Sequence, residues 1–465
     1  MQQLSIELHK RQFCIARSRQ QFGPDWCHID LPDGFTLSYQ AHLPIQRIKT
    51  ETGETLIIGR CFSSISGSAA TCDLAGRFAI LDWPHLRTDA AGLMALYYGG
   101  TEHQPFVTSS PALAAKLQNA KDFLQIQLNW KMGLNWIPSP GSRVGGVARL
   151  MRDQAVKIPS LAIEFFPRPV TPLGSFEESR LVLTSGLAHV LGQVEKSHEK
   201  VYLALTGGLD SRTLFAVLLA RGIKFEAITQ SYPGANPNDA KVAADLCRYA
   251  GVRHRLVPME EPDVKAAAAL SLHTANSSDG SDEHYLFPGN SYRFLEKDDA
   301  LIRGGCLELG RRFYQHKFGG LELSEATGEQ VLSKFKSDAH VEVVRFLDKW
   351  LAWRRSHKNG LDLTDNFYLD QRLGGWLSAI EQSLDVLPGN SVQPVNCERF
   401  FSSLIAPMSQ EERSTGALQR EVIRHLDSKL LKIPINPVSF TQKLKNMART
   451  SIRPLKLAMQ RGRHC

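Results

Sequence analysis

One run of side chains could do chemistry on phosphate: Leu205-Thr206-Gly207-Gly208-Leu209-Asp210-Ser211. Glycines let a backbone approach an anion closely, and the first N–H groups of a following helix lack internal partners. Thr206 and Ser211 add hydroxyl donors. Asp210 is the odd member, because a carboxylate repels phosphate. It makes sense if it holds Mg²⁺ or caps the helix. The spacing is not G-x-x-x-x-G-K-[ST], so this is no Walker loop. A merely glycine-rich turn is the plain alternative; six positions in register between strand and helix favour phosphate binding. A second glycine pair follows the apolar Leu301-Ile302, in Arg303-Gly304-Gly305-Cys306-Leu307-Glu308-Leu309-Gly310-Arg311-Arg312. Gly304 and Gly305 can bring backbone amides to a nucleotide. Arg303, Arg311 and Arg312 would neutralise an anionic or acidic substrate, or stand solvated at an exposed helix start.

These residues need a rigid frame. Residues 201–205 read as a buried strand, and residues 212–221 as a helix that Gly222 ends. Residues 225–229 and 254–258 read as two more strands. Between them lies a helix with apolar residues at Ala240, Ala243, Ala244, Cys247 and Ala250. Alternating strand and helix predicts an α/β fold with a doubly wound parallel sheet, ligands lying beyond the carboxyl ends of its strands. Residues 322–385 are helical and aromatic-rich, and predict a packed shell. Upstream, short β runs at 35–39, 55–58, 77–81 and 106–108 alternate with turns. They predict a mostly antiparallel β region, with a short helix at 111–116. The predicted division is residues 1–190 and 191–465. Residues 273–285 are polar throughout and read as a substrate-side loop.

The first run resembles the S-G-G-x-D-S loop of the ATP pyrophosphatases, with Thr206 in the first serine position. Asp73-Leu-Ala-Gly76-Arg-Phe-Ala, Arg87-Thr-Asp89-Ala-Ala-Gly92 and Leu96-Tyr97-Tyr98 look like motifs of the glutamine-hydrolysing, Ntn-hydrolase-like domain of asparagine synthetases. Gly145-Gly146-Val147-Ala-Arg-Leu150 resembles the segment that closes that domain. The resemblance implies ATP and Mg²⁺ as cofactors, with the loop gripping the β,γ-phosphates while a carboxylate attacks the α-phosphate. It places Thr229, Gln230 and Ser231 near the adenosine. It sets Arg303 in a serine position and Glu308 in that of an aspartate that helps Asp210 hold Mg²⁺. It implies a late catalytic lysine, Lys432 or Lys443. A glutamate usual in an E-x-R-x-P-F-L-D segment is missing, with Glu381 or Glu398 as substitutes. The family's nucleophilic cysteine follows the initiator Met; here Gln2 stands there, and the nearest cysteine is Cys14. Glutamine hydrolysis is therefore expected to be absent, and the amine to come from elsewhere. Two outcomes are open: an ATP-dependent amide ligase of the asparagine synthetase or β-lactam synthetase type, intramolecular cyclases included, or a non-catalytic scaffold.

Composition fits a globular chain: 465 residues, 43% hydrophobic and 22% charged. No apolar run is long enough to span a membrane, and the N-terminus lacks signal-peptide features, so a cytoplasmic location is expected. The eight cysteines are scattered without C-x-x-C, which argues against zinc. The net charge of +8 is local: nine lysines and arginines, and no acid, follow Asp427. This predicts a tail that serves the site, or docks a partner protein or second copy, rather than a surface for nucleic acid in general. The expected substrates are a small-molecule or peptide carboxylate and an amine.

Overall fold

The computed structural model describes residues 7–50, 53–68, 70–120, 123–124, 126, 134–168, 170–171, 173–231, 237–258, 264–275, 292–337, 340–406 and 408–437. It is a mixed α/β protein with two antiparallel sheets and one parallel sheet.

Each antiparallel sheet has six strands. Phe13–Ala16 is central in one, between Pro105–Thr108 and Thr36–Gln40. Leu74–Asp82 is central in the other, between Gly53–Ser63 and His85–Thr88. Alternation along the strands explains how they pack. Leu56, Ile58, Ala79 and Leu81 join Phe13, Ile15, Leu37 and Val107 in the core between the sheets. Their neighbours Ile57, Phe78 and Ile80 face the other way. Gly76 is obligatory: φ is +131°, and a Cβ would stand 2.4 Å from the Arg60 carbonyl oxygen.

The parallel sheet runs His254–Pro258, Glu226–Ser231, Lys200–Ala204, Asp299–Ile302, Asn390–Val392. Both its faces are covered, as parallel sheets require. Val201, Leu203, Ala227 and Ile302 face one cluster with the helices Phe176–Ser197, Leu209–Ala220 and Ala417–Asp427. Tyr202, Ile228, Val257 and Leu301 face the other, with Leu384 and Leu387. The aromatics of the later helices are core: Trp350 is fully buried, edge-on to Phe367. No described helix is long and apolar enough to cross a membrane.

Buried polar contacts join the antiparallel sheets to the rest. Arg354 grips Asp370 through Nε at 2.6 Å and Nη2 at 2.7 Å, and reaches Asp153 at 2.7 Å. Asn396 Nδ2 donates to Asp89 at 2.8 Å, and Arg77 pairs with Asp385 at 2.7 Å. His273 Nδ1 accepts the His9 backbone N–H at 3.0 Å, while its Nε2 lies 3.2 Å from the Gln382 carbonyl oxygen. Only a neutral imidazole can accept at one nitrogen and donate at the other.

Two predictions follow from this packing. Arg354→Leu strands buried carboxylates and should cost about 3–5 kcal/mol in urea unfolding; a loss under about 1 kcal/mol would contradict the packing account. Burial holds the His273 imidazole down to about 3, and burial aided by Lys116 holds His9 down to about 4. The unfolded chain, with histidines near 6.5, binds more protons below that pH. Stability should be full above about pH 6.5 and fall as pH drops toward 4. Melting temperatures across that window check this, and His273→Gln should flatten the slope.

Candidate nucleotide-binding site

Lys200–Ala204 is the middle strand. The chain moves outward from it through Glu226–Ser231 and His254–Pro258, then returns to place Asp299–Ile302 on its other side. Such a reversal opens a crevice at the carboxyl ends of the two central strands. The loops after both strands abut there: a Cβ on Gly304 would lie 3.5 Å from the Ser211 nitrogen.

The first loop is fixed by its own polar groups. Thr206 N–H donates to Ser211 Oγ at 3.1 Å, and Gly208 N–H to Thr206 Oγ1 at 3.2 Å. Gly207 N–H donates to Asp239 Oδ1 at 3.0 Å. A Cβ on Gly207 would stand 2.9 Å from that oxygen, so any larger residue would push the Asp239 carboxylate off this amide. Gly208 is the N-cap of Leu209–Ala220 and makes no side-chain capping bond, and among the described residues no side chain accepts from the first N–H groups of this helix. Its first N–H groups are thus presented to the crevice without a side-chain acceptor.

Asp210 faces charge rather than the helix end. Arg311 Nε donates to its Oδ1 at 3.2 Å, and Arg311 Nη2 pairs with its other oxygen. The same guanidinium lies 3.7 Å from Glu308. The one proton of Tyr368 OH faces two acceptors, the Gly305 carbonyl at 3.0 Å and Glu308 at 3.3 Å. Burial pushes the Asp210 carboxyl above its ordinary range, against the pull of Arg311. Burial also pushes Glu308 up; Arg372 opposes this and Asp210 adds to it. Among the described residues, no group of three or more His, Cys, Asp or Glu could hold a metal ion. Asp210 and Glu308 were expected to share Mg²⁺; with a guanidinium spanning them, they do not fit that role as arranged.

The other candidates divide. Arg303 pairs with buried Glu381 at 2.5 Å, which also accepts from Gln393 Nε2 at 2.8 Å. Gly305 N–H donates to Gln393 at 3.2 Å, so the amide expected to meet a nucleotide is already engaged. Gly304 stays against the first loop. Thr229 is buried, and its hydroxyl donates to the Leu205 carbonyl at 2.7 Å. That bond ties the second strand end to the loop rather than offering a free hydroxyl. Leu205 is core. Arg312 pairs with Asp362 at 2.9 Å, away from Asp210. Lys432 is exposed on the turn Ser428–Lys432, with no hydrogen bond or ion pair among the described residues. Lys443, the rest of the basic tail, residues 276–285 and Gln2 lie outside the described residues. Cys14 is fully buried mid-strand, and burial pushes its thiol well up, the reverse of an activated nucleophile.

Sequence reading passed over Arg212. It is fully buried. It donates to the carbonyls of Leu430 at 2.9 Å, Ile433 at 2.6 Å and Pro434 at 2.7 Å. Asn436 N–H then reaches the Gly207 carbonyl at 3.0 Å. The signal was present: Arg212 is the one cation within Leu209–Ala220, just ahead of the apolar run 214–220.

No family model matches the chain. A 7-cyano-7-deazaguanine synthase of Marinobacter nauticus is 31% identical over 81 residues, 17% of this chain and 34% of that protein. That of a Marinomonas species is 25% identical over 126 residues, 25% of this chain and 54% of its own length. The chain thus spans about a third to a half of the curated relatives it matches. The likeness supports the PP-loop ATP-pyrophosphatase superfamily and does not single out asparagine synthetases. Among solved structures, an NMN synthetase from Francisella tularensis aligns at 12% identity and TM-score 0.20, over 57% of this chain and 98% of that one. A glutamine-dependent NAD+ synthetase from Acinetobacter baumannii aligns at 14% and 0.19, over 67% and 59%. Scores this low carry nothing further.

Arg212→Met should leave three carbonyls without their donor and cost about 2–4 kcal/mol. Urea unfolding measures the loss, and limited proteolysis should show earlier cleavage near residues 430–437. Wild-type stability with unchanged cleavage would contradict the strapping role.

Proposed function

We propose that this chain is an ATP-dependent carbon–nitrogen ligase of asparagine synthetase-like type. A carboxylate oxygen of the substrate attacks the α-phosphorus of ATP, the bond to the β-phosphate oxygen breaks, and pyrophosphate leaves. An amine nitrogen then attacks the acyl carbon, AMP departs, and the nitrogen loses a proton. One observation carries the reading: an uncapped helix N-terminus, preceded by Gly207-Gly208, sits in the crevice between the two central strands. On this reading the N–H donors of that helix end receive the β,γ-phosphates, and catalysis of this kind is chiefly positioning and charge stabilisation. Residues 205–211 form the phosphate side, Gly304 the facing wall, and Thr229 supports the strand end. Arg303 and Arg311 supply positive charge near developing phosphate charge, and Lys432 and Lys443 remain candidates for the late catalytic lysine. ATP is the cofactor; Mg²⁺ on Asp210 and Glu308 is not part of the proposal. The antiparallel sheets act as a packing platform of the Ntn-hydrolase-like kind and do not hydrolyse glutamine, in keeping with the burial of Cys14. The amine is ammonia, a second substrate, or a group in the same molecule. Biosynthesis of a natural product, peptide or polysaccharide in the cytoplasm fits this chemistry.

The second reading, a non-catalytic scaffold, draws support from the engagement of Asp210 by Arg311. Pyrophosphate release from ATP across a panel of carboxylates separates the two. The ligase reading predicts carboxylate-dependent release, weakened in Asp210→Ala because Arg311 then loses the partner that holds it beside the loop. No release with any carboxylate favours the scaffold, and wild-type turnover in Asp210→Ala removes Asp210 from the mechanism.

A further inference from the structure

We propose that Arg311 is the resident cation of the phosphate site, standing where a divalent ion would otherwise bridge Asp210 and Glu308. The inference rests on reading residues 205–211 as a phosphate loop. Its geometry is particular. The guanidinium engages both oxygens of Asp210, the pairing for which its planar fork is suited. It also lies within 3.7 Å of Glu308 on its own turn. Its stem runs through a slot that only glycine leaves open: a Cβ on Gly416 would lie 3.3 Å from Arg311 Cδ, and Gly416 sits at φ +67°. Glu308 is held from its other side by the hydroxyl of buried Tyr368.

This arrangement resolves the puzzle of a carboxylate beside a phosphate loop. Asp210 is neutralised from within the protein, so it no longer repels an arriving polyphosphate. A divalent ion seeking Asp210 must displace a partly buried, two-bond ion pair. The nucleotide-free protein should therefore bind such ions poorly at Asp210. Any Mg²⁺ that accompanies ATP would be held by the phosphates rather than by this acid pair.

Mn²⁺ titration of the nucleotide-free protein, followed by electron paramagnetic resonance, tests this without any turnover. Arg311→Gln should bind Mn²⁺ about tenfold more tightly than wild type, and Asp210→Asn in that background should abolish the gain. Arg311→Lys, which keeps the charge, should stay close to wild type. Equal Mn²⁺ affinity in wild type and Arg311→Gln overturns the proposal, as does a gain that survives Asp210→Asn. Circular dichroism checks each fold. If Arg311→Gln does not fold, wild type against Asp210→Asn decides: Asp210-dependent Mn²⁺ binding in wild type overturns the proposal, and its absence sustains it. Because no nucleotide is present, a protein that never releases pyrophosphate still answers this question. Failure of the ligase reading and failure of this one are thus separate results.

Discussion

A single buried guanidinium holds the candidate site in shape. Arg212 leaves water entirely; its two terminal nitrogens donate to the backbone carbonyls of residues 430, 433 and 434, while its Nε has no partner among the described residues. Burial, with Arg420 nearby, holds it down to about 10, so it stays charged at neutral pH. A buried charge without partners is costly, so the carbonyls and the arginine order one another. The consequence reaches the loop directly, because the same segment continues to Asn436, whose N–H closes on Gly207. A chain segment more than two hundred residues away in sequence thereby fixes the turn that would meet phosphate.

The crevice combines open donors with internally balanced charge. The helix N-terminus keeps its first N–H groups available, while the acids around it are each engaged: Asp210 by Arg311, Glu381 by Arg303, Glu308 by Tyr368. Asp239, in the first turn of Pro237–Ala250, takes the Gly207 N–H. Such a site favours an anionic ligand, since electrostatic attraction is not offset by free carboxylates.

Much of this was legible in the sequence, for reasons that can be named. The strand at 254–258 and the helix after Gly208 carry local signals: apolar runs, glycine stops and helical spacing. A short β run set off by turn residues likewise marked the strand that became Leu74–Asp82, although its ends ran beyond the expected 77–81. Pairing across the chain was not legible. The engagement of Gly305 N–H by Gln393, of Thr229 by Leu205, and of Asp210 by Arg311 depends on tertiary approach. Arg303 and Glu381 were each singled out from sequence, but no local pattern told that they pair.

The central claim is that residues 206–212 receive the polyphosphate of a nucleotide. Hydrogen–deuterium exchange with and without α,β-methylene-ATP addresses it most directly, because the amides in question are the proposed ligands. The account predicts slowed exchange concentrated in peptides covering 206–212. Unchanged exchange there, with protection confined to the antiparallel sheets or absent altogether at saturating nucleotide, would contradict it.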